Sequence, residues 1–386
     1  MTLVSEGRCP RGEDIEAVWN GHRILAWVPE PLASQPFPVG IRAARLTERA
    51  IAAIVAGGRG APRFAPIAML LLRAEGVASS YIEGIRKPLV DVAAAEVGAT
   101  DDRTAQYVAD NLAAVIDALH TSRSPLTVDA LNDWHRILTA TGSQLEPQMI
   151  GAFRDAQSWI GGTSPRDAVF VPPPPEHVGS LMEDLIAFAN AEDLDPITQA
   201  AVAHAQFETI HPYGDGNGRI GRILVGWILA KRLVVDVTPP ISVFIARDPG
   251  GYLAGLTLFR MGHLDVWVEW VAAAILHATE AASSLQTRSE ELYREWMVRL
   301  ATTRGDAASR KVVDLLSEYP VISSELIAAR LGITERSCRS ALRTLADMGI
   351  VQPYERPRDR PGRPGRPRQF WVAKELIELV SGWPGT

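Results

Sequence analysis

The sequence predicts a mainly α-helical fold, because alanine and leucine dominate long stretches in which apolar residues recur every three or four positions. That spacing places the apolar residues on one face of a helix. Strand-like segments are few and short, and residues 1 to about 40, rich in proline and aromatics, are predicted to be irregular. Helices are predicted over 42–57, 65–84, 103–121, 127–140, 175–190, 195–210, 219–232, 250–260 and 264–300.

The length and the charge distribution indicate more than one domain. With 386 residues the chain is too long for one average domain, and two or three are expected. The net charge of −6 is unevenly placed. Residues 288–386 carry 17 Lys and Arg against 13 Asp and Glu, whereas residues 1–287 carry 22 against 32. A basic tail on an acidic body indicates that the tail binds a polyanion or the body itself.

Cysteine usage and hydropathy favour a cytoplasmic protein. The two cysteines, Cys9 and Cys338, are far apart and match neither a disulfide framework nor a zinc-binding spacing. The first residues lack the apolar core of a signal peptide. No run of about 18 apolar residues is present, so a membrane span is not expected.

The C-terminal region has the element order of a winged helix-turn-helix domain. Three helices are predicted, the second capped by Ser323 or Ser324, and a Gly332-Ile333 turn precedes the third, which Thr334 caps. Two short strands follow and enclose a loop rich in Pro, Gly and Arg. The predicted helices span 309–318, 324–331 and 334–348, and the predicted strands span 350–354 and 370–372.

Arginines on the third helix of this region predict contact with double-stranded DNA. Arg336, Arg339 and Arg343 follow a three- and four-residue spacing, so they form one stripe. The loop 356–368 adds six arginines. A basic recognition helix beside a basic wing suits the DNA backbone and groove. The alternative is a winged-helix module that serves protein contacts or dimerisation, with the arginines only solvating its surface.

The twelve residues from His211 to Arg222 contain the groups needed to move a phosphate-containing group. A glycine-rich loop between two predicted helices would direct backbone N–H groups at an anion. Arg219 and Arg222 lie on one helix face and suit further phosphates. Asp215 suits Mg²⁺, and His211 suits a base for an attacking hydroxyl. The alternative is a surface loop with glycine turns.

Two other site types are disfavoured in this segment. Residues 216–221 match the dinucleotide fingerprint, and Asp236 lies about twenty residues further on. The preceding segment is predicted to be a helix, however, and no alternation of strands and helices surrounds it. Zinc is unsupported, because His204 and His211 lack a third ligand at metal spacing. His204 is expected to be a packed or capping residue.

The segment resembles the signature of the Fic (Fic/Doc) family, in which Tyr213 takes the place of a phenylalanine. The resemblance implies a Fic-type helical bundle that transfers AMP from ATP to a protein hydroxyl and releases pyrophosphate. It implies that His211 deprotonates the target hydroxyl and that Asp215 coordinates Mg²⁺. The nucleotide-binding residues that it implies are Gly216, Asn217, Gly218, Arg219, Gly221 and Arg222.

A hairpin upstream of the signature is similar to the flap of the same family. Residues 157–160 and 168–171 are predicted strands around a glycine turn. The resemblance implies that Trp159, Ile160 and Gly161 clamp the main chain of the target by strand addition. An ordinary surface hairpin is the alternative. Downstream, Tyr252 is a candidate to pack on adenine, and a core tyrosine is the equal alternative.

A second upstream segment is similar to the inhibitory motif of Fic proteins. Ser79 and Glu83 are four residues apart and share a helix face, and Gly84 ends that helix. The resemblance implies that Glu83 pairs with Arg222, occupies the space of the ATP γ-phosphate and holds ATP in an unproductive pose. The alternative is a plain helix terminus with a solvated glutamate.

These observations predict three regions and an enzymatic function. Residues 1–105 form an N-terminal helical region that carries the inhibitory helix, 106–285 the Fic core with its short β-hairpin flap, and 286–386 a linker helix with a winged-helix domain. The protein is expected to be an autoinhibited adenylyltransferase with a protein partner, and homodimerisation is an option that the resemblance leaves open. The alternatives are a DNA-binding regulator whose core senses nucleotide, or a Fic enzyme that uses another nucleotide donor or removes AMP.

Overall fold

The computed structural model describes residues 12–58, 65–301, 307–355, 368–380 and 382–383, and it confirms the mainly α-helical prediction. The helices of the body begin and end close to the predicted residues, while α3 and α9 were missed. These helices are α1 Ile41–Gly58, α2 Ala65–Ile82, α3 Leu89–Glu96, α4 Arg103–Thr121, α5 Val128–Leu138, α6 Pro175–Asn190, α7 Pro196–Ile210, α8 Asn217–Leu233, α9 Ile241–Ile245, α10 Pro249–Arg260 and α11 Leu264–Ala301.

Helices α7 and α8 form the centre of the core. All residues of α7 from Ile197 to Ile210 are buried, and α8 is buried along most of its length. The alanines of α7 leave room for its neighbours, and the indole N–H of Trp267 on α11 donates to the carbonyl of Ala201 (2.8 Å). The loop between α7 and α8 is therefore anchored by the two most enclosed helices of the body.

The N-terminal segment contradicts the prediction of irregular structure. Strands β1 Gly12–Trp19 and β2 His22–Pro29 pair antiparallel over their full length. Asn20 and Gly21 connect them with φ of 47° and 77°. Two left-handed residues in a two-residue loop are the geometry of a type I′ hairpin turn, which Asn-Gly favours. The Asn-Gly pair was the missed signal.

The segment predicted as the flap hairpin is less regular than expected. Instead of two four-residue strands, a single bridge joins Ile160 to Phe170. Gly161 and Gly162 have φ of 70° and 71° and turn the chain directly after Ile160. On the other side of the bridge, Pro172 has no N–H to continue the pairing. Asp167 closes the loop by accepting hydrogen bonds from the Thr163 and Ser164 segment, which lowers the pKa of its carboxyl.

The C-terminal region confirms the predicted order of helices and adds one strand. Ser323 caps α13 and Thr334 caps α14, as expected. The strands form a three-stranded sheet in the order β3-β5-β4, and β3 and α15 were missed because they are very short. The arginine-rich loop over 356–367 lies outside the described residues. The elements are α12 Ala307–Leu316, β3 Val321–Ser323, α13 Ser324–Leu331, α14 Glu335–Asp347, β4 Gln352–Pro353, β5 Phe370–Val372 and α15 Lys374–Glu378.

The C-terminal region packs directly on α2 and on the end of α11. The buried guanidinium of Arg73 on α2 donates to the carboxylate of Glu96 (2.6 Å) and to the carbonyl of Glu318 (2.5 Å). Arg299 on α11 binds the carboxylate of Glu375 through two hydrogen bonds of 2.9 Å. Apolar residues of α2, α11, α12 and α14 share one buried cluster.

Across the described ranges, no helix has the length and apolar character needed to cross a membrane.

Candidate active site

The loop between α7 and α8 changes the chain direction through two left-handed residues. His211 ends α7 with φ of 51° and ψ of 60°, and its N–H donates to the carbonyl of Phe207 (2.8 Å). Gly216, with φ of 81°, is the N-cap of α8. A non-glycine residue in the left-handed region costs free energy. The packing around His211 must therefore hold it there.

Asn217 fixes the shape of this loop. Its side-chain oxygen accepts from the N–H of Tyr213 and its amide donates to the carbonyl of Tyr213, both at 2.8 Å. The Tyr213 ring is fully buried, and its hydroxyl donates to Asn132 (3.0 Å). The hydroxyl that distinguishes Tyr213 from the phenylalanine of the signature is therefore satisfied inside the protein.

His135 is a buried loop-supporting residue that the sequence reasoning missed. Its ring stacks on Tyr213 at 4.1 Å between centroids. One ring nitrogen accepts from the N–H of Gly151 (2.9 Å), so the other carries the proton and donates to the carbonyl of Asp215 (3.1 Å). Burial lowers the His135 pKa to about 4, which keeps this neutral arrangement.

Arg154 is the second missed residue, and it ties the flap segment to the loop. Its guanidinium is buried and donates to the carbonyls of His211 (2.8 Å), Ile210 (3.2 Å) and Pro173 (2.6 Å). Its backbone N–H donates to the carbonyl of Pro212 (2.8 Å). An arginine outside any helix and far from the motif in sequence gives no periodic signal, so only the fold reveals this role.

The side chain of His211 is neutral and reachable. Burial and the neighbouring charge of Arg154 lower the His211 pKa to about 4. The side chain keeps 21% of its surface exposed, and Nδ1 lies 4.0 Å from a carboxylate oxygen of Glu208. A neutral imidazole with an open face can accept a proton, and the negative charge of a bound phosphate would raise its proton affinity.

Asp215 and Arg219 place one charge of each sign at the mouth of the loop. The Asp215 side chain is 53% exposed and lies 3.5 Å from Arg219, which is buried beneath the ring of Tyr107. Two guanidinium nitrogens of Arg219, Nε and Nη1, have no hydrogen-bond partner among the described residues. Unpaired buried donors of this kind suit an anionic oxygen.

Asp215 is suited to hold Mg²⁺ together with substrate phosphates. The carboxylate is exposed and oriented by the N–H of Gly216 (2.7 Å). Mg²⁺ keeps several waters and takes one or two carboxylates plus phosphate oxygens, so one such ligand is sufficient in a nucleotide site. No group of three or more metal-ligating side chains occurs in the parts of the chain that the structure covers.

Arg222 is buried and makes the ion pair that the resemblance implied. Its guanidinium donates to Glu83 Oε1 (2.7 Å), to the Ser79 hydroxyl (3.0 Å) and to the Ser79 carbonyl (3.0 Å). Burial alone would lower the Arg222 pKa, but the adjacent Glu83 raises it above the usual value. A Cβ on Gly218 would collide with Glu83 Oε1, so the carboxylate lies against the first turn of α8. Gly84 follows with φ of 80°.

A polar cluster lies behind Arg222, between α7 and α10. Burial lowers the His204 pKa to about 3 and raises the Glu208 pKa to about 7. Tyr252 is 4% exposed and its hydroxyl contacts His204 (2.9 Å), so it occupies the core, the second of its two predicted positions. A Cβ on Gly221 would meet Glu208 and His204, so Gly221 faces α7 and serves close helix packing. His204 is packed, as expected.

The flap and the α14 arginines complete the set of predicted residues. Trp159 packs edge-on against Trp19 of the N-terminal hairpin at 5.8 Å. On α14 the arginines form an exposed stripe, and Arg339 pairs with Glu335 (2.9 Å) while the apolar face is buried. The exposed arginines of this stripe are Arg336, Arg339 and Arg343.

Comparison with known proteins identifies two domains. Residues 125–229 match the Fic/DOC family, and residues 306–352 match a winged helix-turn-helix DNA-binding family. The chain therefore contains a Fic/DOC domain followed by a winged helix-turn-helix domain. This confirms the resemblance drawn from His211–Arg222 and from the order of the C-terminal elements.

Relatives with assigned names are protein adenylyltransferases. Protein adenylyltransferase fic-1 of Caenorhabditis elegans is 28% identical over 157 residues, which cover 40% of this chain and 28% of that protein. A probable protein adenylyltransferase of Aquifex aeolicus (strain VF5) is 39% identical over 140 residues, 31% of this chain and 44% of that protein. The chain spans less than half the length of these relatives.

Solved structures share the fold at low identity. A Fic family protein from Desulfovibrio desulfuricans G20 superposes with a TM-score of 0.56 at 21% identity, covering 88% of this chain and 98% of that one. A Fic domain containing signaling protein from Bacteroides thetaiotaomicron VPI-5482 superposes with a TM-score of 0.52 at 18% identity. The match covers 62% of this chain and 95% of that one.

We expect the buried neutral state of His204 to make stability depend on pH. Because its pKa is depressed in the folded protein, the unfolded chain binds an extra proton between about pH 6.5 and pH 3. The contribution of neutral His204 to the free energy of unfolding is fully present above that pH window and is lost as the pH falls through it. Glutamine at position 204 does not titrate. The free energy of unfolding of His204→Gln, which is lower than that of wild type at pH 7, should therefore come closer to the wild-type value by roughly 2 kcal/mol at pH 5.

Urea unfolding of both proteins at several pH values measures this difference. Comparing the two proteins cancels the opposite contribution of Glu208, whose pKa is raised. A deficit that stays constant from pH 7 to pH 5 would contradict the neutral buried state.

Proposed function

We propose that this protein is an adenylyltransferase that moves AMP from ATP to a hydroxyl of a protein and that its own helix α2 holds it inactive. The observation that carries the proposal is the contact of Glu83 with Arg222 at the first turn of α8, beside the complete His211–Arg222 set. The names of the relatives support the chemistry, although the chain matches less than half of each.

The transfer step follows from the neutral state of His211. The imidazole removes the proton from the target hydroxyl, whose oxygen attacks the α-phosphorus of ATP. The bond from that phosphorus to the bridging oxygen of the β-phosphate breaks, and pyrophosphate leaves. Because Arg154 binds the carbonyl of His211 and Asn217 braces the loop, the base keeps its position during the step.

The α8 N-terminus and its arginines would bind the phosphates. The first-turn N–H groups and the helix dipole favour an anion there. Arg219, with its unpaired buried nitrogens, supplies fixed positive charge at the mouth of the loop. When bound by Asp215, Mg²⁺ would neutralise part of the phosphate charge. Asn217 contributes by holding the loop in shape, because its side-chain amide is already hydrogen-bonded to the backbone of Tyr213.

Inhibition follows from the position of the Glu83 carboxylate. It already supplies the negative charge that Arg222 and the α8 N-terminus attract, so a terminal phosphate must displace it or bind elsewhere. Ser79 holds the same guanidinium from the preceding turn of α2. We infer that ATP is held in an unproductive pose while this contact persists. The motif leaves another nucleotide donor, or AMP removal with Glu83 orienting a water, as alternatives.

Other sequence expectations extend this proposal. The flap residues Trp159, Ile160 and Gly161 are proposed to dock the target main chain, although their strand pairing is limited to one bridge. A cytoplasmic location and pairing of two copies are further proposals. A core that only senses nucleotide is disfavoured, because sensing requires no base at His211.

Release of the Glu83 contact should switch the transfer on. Glu83→Gly frees Arg222 and the α8 N-terminus, so incorporation of label from α-labelled ATP with Mg²⁺ should rise by at least about tenfold. Glu83→Gln keeps the shape of the side chain and loses its charge, so label incorporation should rise less in this variant. Adding His211→Ala to Glu83→Gly should remove the label.

The measurement is gel autoradiography of self-modification and of added protein mixtures. Equal labelling of wild type and Glu83→Gly would refute the inhibitory role. Label that survives His211→Ala would refute the role of the base.

A second function, binding of double-stranded DNA, is favoured by the exposed arginine stripe on α14 and by the family match of residues 306–352. We propose that the stripe contacts DNA phosphates. An Arg336→Ala/Arg343→Ala variant should then bind duplex about tenfold more weakly, and its plot of log affinity against log salt should be shallower by about two.

Fluorescence anisotropy with a labelled duplex at several KCl concentrations provides the test. The matched control is Arg45→Ala/Arg49→Ala on α1, which removes equal charge from an exposed face of the body. An equal loss of duplex affinity in the two double variants would show that only net charge matters and would contradict a DNA interface on α14.

A further inference from the structure

The N-terminal hairpin has one strand edge that faces the flap segment. The N–H of Trp27 points away from β1 and donates to the carbonyl of Val171 (2.9 Å). Alternate residues of an antiparallel strand direct their backbone groups to the same side. The N–H and carbonyl groups of Leu25 and Arg23 therefore also point away from β1 and towards the flap side.

Beyond Trp27 this edge borders an open groove of about 660 Å³. Strand β2, the flap segment 165–171 and the end of α10 line it. Large apolar side chains in the lining are exposed: Leu25 at 60%, Val169 at 83% and Met261 at 56%. An unpaired strand edge next to exposed apolar side chains is the arrangement that binds an extended peptide by strand addition.

The groove is basic within an acidic body. Its lining includes Arg23, Arg166, Arg260 and the carboxylate of Asp14, and Arg23 also pairs with Glu16 (3.3 Å), which leaves an excess of one positive charge. Arg260 stacks over the ring of Phe170 at 4.1 Å, which keeps its charge at the floor of the groove. The surrounding charge therefore favours acidic residues in whatever segment lies there.

A short stretch of backbone connects the groove to His211, the proposed catalytic base. Val171, which accepts the bond from Trp27, is followed by Pro172 and Pro173, and Arg154 binds the carbonyls of Pro173 and His211. A chain bound along β2 therefore lies beside the segment that Arg154 ties to the base.

We propose that the outer edge of β2 is a docking site for an acidic, extended segment of the protein that is modified. The proposal rests on the proposed transfer function and adds a second docking element to the flap. The bound segment pairs with the backbone of Leu25 and Arg23 and places alternate side chains against Val169 and Met261. The free edge from Arg23 to Leu25 is about 7 Å long, enough for two or three residues of extended chain.

The probe is a short fluorescein-labelled peptide of alternating Glu and Val residues, with a Lys and Val peptide as its counterpart. Binding is measured by anisotropy without nucleotide, so the result does not depend on the transfer reaction. The full chain should bind the acidic peptide about tenfold more tightly than the basic one.

Leu25→Pro removes one outward N–H, and proline is tolerated at a strand edge whose N–H has no partner in the sheet. It should weaken binding of the acidic peptide by about tenfold, whereas Leu25→Thr, which keeps the N–H, should bind like wild type. If Leu25→Pro disturbs the hairpin, as shown by circular dichroism, Arg166→Glu replaces it and should weaken acidic-peptide binding by a similar factor.

Equal binding by wild type and these variants would overturn the proposal, as would a preference for the basic peptide. So would self-association of wild type that Leu25→Pro abolishes while neither peptide binds, because a second copy would then occupy the edge. If His211→Ala loses label transfer but still binds the acidic peptide, the result bears on the transfer function and leaves the docking proposal unchanged.

Discussion

The buried guanidinium of Arg222 is the constraint that positions helix α2 against the loop. A buried cation is stable only when its hydrogen-bonding groups are satisfied and its charge is neutralised. Helix α2 satisfies both conditions, because Ser79 supplies two oxygens and Glu83 supplies the negative charge. Removal of either partner leaves polar groups of Arg222 unsatisfied, so this contact holds α2 in place.

Further polar contacts hold α2 in the same position. Glu75 accepts from the N–H of Ser242 (2.8 Å) and from its hydroxyl, and burial raises the Glu75 pKa. Asn111 donates to the carbonyl of Gly76 and to the hydroxyl of Ser80. In the middle of α2, Arg73 contacts the winged-helix region through the carbonyl of Glu318. Helix α2 is thus joined to α4, α9 and the C-terminal domain as well as to Arg222.

The sequence predicted the long helices and the glycine-rich loop between two of them from local spacing, and the resemblance of the complete motif implied the pairing partner of Arg222. The supports of the loop could not be predicted in this way. His135 and Arg154 act through backbone carbonyls that are distant in sequence. The helical spacing of α5 marks His135 only as a buried residue, and Arg154 lies outside any helix. The N-terminal hairpin was missed although Asn20-Gly21 is a turn signal, because the nearby prolines and aromatics indicated an irregular segment.

Where the sequence was ambiguous, burial decided the outcome. Tyr252 suited either adenine or the core, and its contact with His204 beneath α10 places it in the core. Gly221 belongs to the glycine pattern of the motif, yet its Cα faces Glu208 on α7. The flap pattern predicted two strands, but pairing is limited to one bridge, because Pro172 has no N–H to continue it. Such outcomes depend on tertiary neighbours that spacing does not reveal.

The proposed occupation of the phosphate site by Glu83 is tested most directly without any chemistry. Isothermal titration of inorganic triphosphate with Mg²⁺ into wild type and Glu83→Gly measures the affinity of the α8 N-terminus and Arg222 for phosphate alone. If the carboxylate occupies that site, Glu83→Gly should bind triphosphate at least about tenfold more tightly, with Glu83→Gln in between. Equal affinity of wild type and Glu83→Gly would contradict the proposed inhibition.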